Sequence, residues 1–301
     1  MVGAARAFGN DIALPTKYAD LLDEVYMAAS VTADLRSDPA TVAAGASVKE
    51  FKYMQCSTDG LGDYGKGSGR NGGYTDAAVK IEWKTATANY DRGAKMEIDD
   101  VDNQETFNKA MALAGSTIQR TKVAPEADAF TFATICGKAG ISKVDTPASL
   151  ADGAAVLAAL SAALDKMDED EVLENRHLYI TSALLRAVRD LDTTKSREVL
   201  GEFTKIVKVP QKRFYTAIDL LDGFSTGEEA GHYAKATAGK EINFMIIEPS
   251  AVIKHDKHVA DHVIPPSANP DSDAYITKYR KYGIVDVYDH KTAGIYLHHK
   301  A

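Results

Sequence analysis

Residues 102–137 read DNQETFNKAMALAGSTIQRTKVAPEADAFTFATICG. Phe107, Met111, Ala114, Ile118, Pro125, Ala129, Phe132 and Cys136 step by three or four positions, allowing one polar turn at Thr121 and Lys122. That spacing places one apolar stripe along a long helix. Asp102 suits the N-cap, and Glu105 three residues on completes an approximate capping box. Gly137 and Gly140 stop the helix. At about 1.5 Å per residue it spans roughly 50 Å. Pro125 kinks or divides it, because proline lacks an N–H and its ring crowds the preceding turn. The spacing predicts a helix over most of residues 104–136, packed on a β layer that includes residues near 251–264 and 280–298.

Upstream, residues 48–58 alternate, with Val48, Phe51, Tyr53 and Met54 among polar neighbours. Residues 77–98 read as strand through Val79, Ile81, Trp83, Tyr90, Met96 and Ile98. Between them lies a tip holding Gly60, Gly62, Gly65, Gly67, Gly69, Gly72 and Gly73. Strand, glycine-rich tip, strand is a long β-hairpin. A lone hairpin is marginal in water, so another surface must hold it. Residues 1–44 form an arm: Tyr18 to Ser30 suit a short helix with Leu21, Leu22, Val25 and Ala29 on one side, bracketed by Gly3, Gly9, Pro15 and Pro39. The arm has too little apolar surface to fold alone.

Downstream, residues 145–250 read as mixed α/β, with helices over Ala154–Met167 and Ala183–Leu191 and strands over His177–Thr181, Phe203–Val209 and Ile242–Ile247. Residues 251–301 read as mainly β. Ile284–Tyr288 and Ile295–His298 flank Asp289–Gly294, which suits a hairpin turn by composition.

The 301 residues are ample to bury a core. A formal net charge of −8 and no block of five or more Lys/Arg argue against specific nucleic-acid binding. Cys56 and Cys136 form no CxxC pair or disulfide framework, which fits a reducing compartment. No apolar run reaches the roughly 18 residues of a membrane span, and Met1–Pro15 makes a poor signal peptide. The sequence is read as a soluble intracellular product.

Three motifs invite chemistry. Gly60–Gly65 matches GxGxxG and, with Lys66, nearly a P-loop. Both need a helix to start at once to hold the phosphate, and Gly67 stands where Ser or Thr would bind magnesium. A flexible hairpin tip fits better. His255, His258 and His262 with Asp256 and Asp261 suggest a metal site. On a strand, however, His258 and His262 lie ~13 Å apart, too far for one ion. Asp168–Glu171 is a run of carboxylates at a helix end, read as a solvated loop. No catalytic, cofactor-binding or metal residue is assigned and no cofactor is expected, so the chain is read as no enzyme.

The order of parts is recognisable. Tyr90-Asp91-Arg92-Gly93 leading to Met96-Glu97-Ile98-Asp99, then Arg120 to Ala129 with its proline, resembles the strand and spine helix of tailed-phage major capsid proteins, the Hong Kong 97-type fold. Val209-Pro210 with Arg213-Phe214-Tyr215 resembles a segment of that family's A-domain. Phe244–Ile253 and Tyr279–Gly283 resemble its return into the P-domain. The resemblance covers roughly residues 15–300. It implies an α+β fold: an N-terminal arm (1–44), an extended β-hairpin or E-loop with flanking strands (45–95), the spine helix of the P-domain (96–144), an A-domain (145–250) and a return to the P-domain (251–301). It further implies self-assembly through pentamers and hexamers into an icosahedral virion capsid around double-stranded DNA, built in the bacterial host cytoplasm. Portal, scaffolding and decoration proteins are implied partners; DNA contact is non-specific and no membrane is involved. Many family members begin with a charged helical scaffolding segment. None precedes this arm, so scaffolding is separate, already trimmed or unnecessary. Some shells of the family weld subunits through Lys–Asn isopeptide bonds. Lys66, Arg70 and Asn71 sit on the tip, but no matching acceptor or catalytic carboxylate aligns, so they are read as exposed polar residues. Encapsulin compartments, which enclose enzymes, share the fold and are the alternative. A nucleotide- or metal-dependent enzyme is the third reading.

Overall fold

The computed structural model describes residues 29–37, 42–44, 50–62, 64, 77–100 and 110–301. The described part of the long helix runs as Ala110–Ile118 (α1), a five-residue π-type turn at Gln119–Val123, and Ala124–Gly137 (α2). Pro125 cannot donate to the carbonyl four residues back and crowds it. A π-type turn just before the proline shifts the hydrogen-bond ladder and absorbs that defect. The Thr121 hydroxyl donates to the Thr117 carbonyl at 2.7 Å in the same turn. Proline therefore divides this helix without ending it. The expected start, with Asp102, Glu105 and Phe107, lies outside the described residues, as do most of the arm and the tip glycines from Gly65 to Gly73.

The strands, in chain order, are β1 (Val42–Ala44), β2 (Glu50–Thr58), β3 (Val79–Thr87), β4 (Tyr90–Asp99), β5 (Ser142–Lys143), β6 (His177–Thr181), β7 (Lys205–Val209), β8 (Ile218–Leu220), β9 (Tyr233–Lys235), β10 (Ile242–Ile247), β11 (Val252–Ile264), β12 (Ala274–Val287) and β13 (Ile295–His299). Among the described residues they form sheets ordered β1-β2-β3, β11-β12-β4 and β5-β13-β10-β6-β7, plus the pair β8-β9. Three further helices, α3 (Gly153–Glu169), α4 (Ser182–Asp190) and α5 (Thr194–Gly201), complete the mixed region.

The five-stranded sheet is covered on both faces. Leu178, Ile180, Phe244 and Ile246 pack with Val156, Leu160, Leu164 and Met167 of α3 and with Leu185 and Val188 of α4. The alternate residues Tyr179, Met245 and Ile247 pack with Phe132, Ile135 and Cys136 of α2. Strands covered on both faces read as near-continuous apolar runs, which is why Ile242–Ile247 is apolar but for Asn243 and buried at every position. The Phe132 ring sits edge-on to Tyr179 at 5.5 Å and to Phe214 at 4.8 Å. The same cluster takes in Val252 and Val287 from the second sheet and Ile295 and Leu297 from β13, so α2 joins two sheets. Its burial accordingly exceeds a single stripe and includes Glu126, Asp128 and Thr131.

Two expectations are corrected. Residues 77–98 are two strands in different sheets. The chain changes sheet at Ala88-Asn89, where the Asn89 amide donates to the Val285 carbonyl at 2.7 Å and accepts from the Val285 N–H at 3.0 Å. The expected hairpin around Asp289–Gly294 does not form, because β12 pairs with β11 and β4 while β13 pairs with β10 and β5. That segment is a crossover, and the long hairpin of the region is β11–β12.

Candidate assembly surface

In the hairpin, Met54 pairs with Trp83, Cys56 with Ile81 and Thr58 with Val79. Alternation separates its two faces. Near the root, Phe51 and Tyr53 turn inward and pack with Ile253, Ile284 and Tyr288, and the Tyr53 and Tyr288 rings meet edge-on at 5.2 Å. Lys84 ties the same face to Asp289 at 3.1 Å. The opposite face carries Met54, Val79, Ile81 and Trp83, each more than half exposed at 54–64%. Single exposed apolar residues are ordinary, but four aligned on one strand pair form a patch of the kind that marks association. β3 is also an edge of its sheet among the described residues, with a row of backbone groups able to accept another strand.

Another exposed apolar side chain, Phe224, stands on the loop joining β8 and β9 and is 92% exposed. The Asp222 carboxylate accepts from the Phe224 N–H at 2.7 Å, the Ser225 N–H at 2.8 Å and the Ser225 hydroxyl at 2.5 Å. These bonds, the Ser225 hydroxyl first, hold Asp222 below the usual carboxylate range. The base of the loop is fixed by Arg92 of β4, whose Nη2 donates to the Leu221 carbonyl at 2.8 Å and the His232 carbonyl at 3.1 Å.

A band of buried charge centres on Glu126 and Asp128 of α2. Glu126 accepts from Arg92 Nε at 2.7 Å and the Tyr90 hydroxyl at 3.2 Å, with His232 Nδ1 at 3.4 Å. Burial pushes this carboxyl up, but His232 and Arg92 outweigh it and hold it below the ordinary range. Asp128, fully buried, accepts from the Ser30 hydroxyl at 2.6 Å, the Val31 and Thr32 N–H groups at 3.0 and 3.2 Å, the Thr32 hydroxyl at 2.7 Å and Arg213 at 2.9 Å. Lys254 donates to the Thr32 carbonyl at 3.0 Å and hydroxyl at 2.5 Å. Burial drives its pKa down to about 8, Lys281 adding to the effect and Asp128, Asp256 and Asp34 opposing it. Lys281 pairs with Asp256 at 3.0 Å.

These charged residues escape a sequence reading. The signal available was two carboxylates, Glu126 and Asp128, inside an otherwise alanine-rich apolar helix. Of the residues weighed from sequence, His255, His258 and His262 lie along β11 opposite Ile284, Tyr282 and Lys278. A strand keeps that spacing too wide for one ion. Among the described residues no group of three or more His, Cys, Asp or Glu is arranged to hold a metal ion. Gly60 to Gly62 are exposed, while Asp63, Gly65, Lys66, Arg70 and Asn71 lie outside the described residues. The run Asp168–Glu171 is only partly a solvated loop. Asp168 pairs with buried Arg176, and Asp170 pairs with Lys166 at 2.6 Å and accepts from Ser142 at 3.2 Å. No helix of the described residues is long and apolar enough to cross a membrane.

No protein-family model matches the chain, and no curated protein matches it in sequence. Solved structures do match. A structure from Mycobacterium phage Cain shares 10% identity over 91% of this chain and 90% of its own, with a TM-score of 0.61. The virus-like particle from Pyrococcus furiosus shares 9% identity over 95% and 100%, with a TM-score of 0.59. The capsid of cyanophage P-SCSP1u shares 14% identity over 85% and 84%, with a TM-score of 0.55. The chain has the Hong Kong 97-type fold of tailed-phage capsid structures.

Proposed function

We propose that this chain is the major capsid protein of a tailed bacterial virus, a non-enzymatic subunit whose copies close into an icosahedral shell around double-stranded DNA. The observation that carries the reading is the hairpin face of Met54, Val79, Ile81 and Trp83, exposed on the free chain of a fold otherwise found in capsids. A neighbouring copy covers that face and pairs with the β3 edge, which supplies an association energy that the described residues leave unused. In this reading residues 1–44 are the arm, 45–95 the E-loop, 96–144 the spine, 145–250 the A-domain and 251–301 the return to the P-domain, with β13 reaching back to the sheet of the A-domain. Self-contacts in pentamers and hexamers are the main partnership, joined by portal, scaffolding and decoration proteins. Assembly takes place in the host cytoplasm.

A second reading is favoured by one match: the Pyrococcus furiosus virus-like particle aligns over 100% of its length. A compartment shell enclosing protein cargo therefore stands as the alternative. Electron microscopy of the purified protein tests the shell directly. Closed particles are expected, and a monomer at all concentrations would overturn both readings. Co-purifying DNA supports the virus; a co-purifying enzyme supports the compartment.

A further inference from the structure

After helical Ala29, residues 30–37 contain one short 3-10 turn, Ala33–Leu35, yet Thr32 and Leu35 are almost completely buried. The segment is held at separate points by different elements. Asp128 of α2 receives four hydrogen bonds from it: two from backbone N–H groups and two from hydroxyls. Lys254 of β11 gives two back to Thr32. Asp34 accepts from His177 Nδ1 and the Tyr179 hydroxyl, both at 2.8 Å, with Lys205 at 3.2 Å. Ser37 closes the end: its N–H donates to the Lys254 carbonyl at 2.9 Å, and its hydroxyl accepts from the Lys254 N–H at 2.9 Å.

We propose that residues 29–37 form a latch, a strap that opens and closes as one unit over the buried Asp128 carboxylate and Lys254 ammonium while the sheets beneath stay folded. The argument is one of uncompensated charge. If the strap lifts, Asp128 keeps only Arg213 among the described residues, and the Lys254 ammonium loses the carbonyl and the hydroxyl of Thr32. Partial lifting leaves buried groups unsatisfied, which is costlier than either end state, so fraying residue by residue is disfavoured. Complete lifting lets water reach both groups. The five-stranded sheet does not depend on the strap for its pairing, since among the described residues its strands pair only with one another.

The direction of the pH dependence follows from Lys254. Facing it are Asp128 from α2, Asp34 from the strap, and Asp256 and Lys281 from the second sheet, with Arg213 across Asp128. With the strap closed, burial brings its pKa to about 8; with the strap open and the ammonium wet, it returns toward the ordinary lysine value of about 10.4. The open state then binds more protons between those limits, so raising the pH through that window favours the closed strap. The limit for one proton is about tenfold per pH unit.

Pulsed hydrogen exchange of the purified full chain, followed by mass spectrometry and corrected for intrinsic base catalysis, tests this between about pH 7.5 and 9.5. Expected are strap amides, Val31 and Thr32 included, that open far more often than the amides of Ile242–Ile247. Their protection should rise several-fold to tenfold per pH unit above about 8. Lys254→Met should flatten that rise. Thr32→Val removes a hydroxyl shared by both charges and should speed strap exchange about tenfold while keeping the pH dependence. The proposal is overturned if strap amides exchange only with the Ile242–Ile247 amides, if the wild-type profile is flat, or if the rise survives in Lys254→Met. Should Lys254→Met fail to fold, the wild-type and Thr32→Val profiles still decide. None of these outcomes depends on whether the chain forms a shell.

Discussion

Replacing Trp83 by glutamate tests whether the hairpin face is an interface. Trp83 is 59% exposed and lies opposite Met54, itself 54% exposed. Fully burying a large apolar side chain is worth about 1.5–3 kcal/mol. The fraction still exposed here leaves about 1–2 kcal/mol per side chain for a neighbour to gain, and roughly four times that for the face of Met54, Val79, Ile81 and Trp83. Trp83→Ala should therefore raise the concentration needed for assembly roughly tenfold, at about 1.4 kcal/mol per tenfold. Trp83→Glu should abolish closed particles, because a carboxylate would be buried without a partner. The fold itself should barely notice, since exposed substitutions usually shift stability by less than about 0.5 kcal/mol. Lys80→Ala, on the opposite face of the same strand, is the control and should assemble normally. Sedimentation velocity gives the particle fraction, and thermal melting of the unassembled chain gives the stability. Normal particles from Trp83→Glu would refute the interface. A melting temperature that falls in step with assembly would instead make Trp83 a folding residue.

Two further predictions concern the body of the fold. Gly153 begins α3 so close to α4 that an added Cβ would lie 2.1 Å from the Ala187 carbonyl oxygen. Gly153→Ala should cost about 2–3 kcal/mol in a denaturant melt, whereas Gly201→Ala, with nothing within 4 Å, should be close to neutral. His298 Nδ1 accepts from the Asn243 side-chain amide at 3.0 Å, and burial brings its pKa down to about 4. The unfolded chain binds that proton near pH 6.5, so stability should fall by up to about 3 kcal/mol as the pH drops from about 6.5 to 4. His298→Asn should remove most of that slope, and an unchanged slope in urea titrations would show that His298 does not carry it.

Elements whose partners are near in sequence were legible. The stripe through Phe132 and Cys136, the buried run Ile242–Ile247 and the pairing across the glycine tip all follow from local periodicity. What escaped depends on distant partners. Asn89 is bonded to Val285, almost two hundred residues away, and no local feature marks it as the point where the chain changes sheet. Asp289–Gly294 has the composition of a hairpin turn, but Ile295 and Leu297 pack with Ile135 and Val252, and that burial sends the chain to another sheet. Tertiary packing overrode turn chemistry there. Asp128 was missed for the same reason: its ligands come from residues 30–32 and 213.

The two halves of the hairpin show how one element serves folding and association at once. Its root is anchored by Phe51 and Tyr53 against Ile253 and Ile284, and Lys84 bonds Asp289. Beyond that anchor, the next residues on the inward face are polar: Gln55 and Ser57 opposite Glu82 and Lys80. The apolar residues shift to the outer face at Met54 and Trp83. A hairpin that served only its own fold would keep its apolar side chains on the anchored face along its length, since a lone pair of strands with one wet apolar face is marginal. The switch of faces leaves the outer half dependent on a surface that none of the described residues provides. The same dependence accounts for the exposed β3 edge: charged neighbours such as Lys80 and Glu82 line it, which discourages indiscriminate pairing. Specific docking on the apolar face remains open to a copy that presents the matching surface.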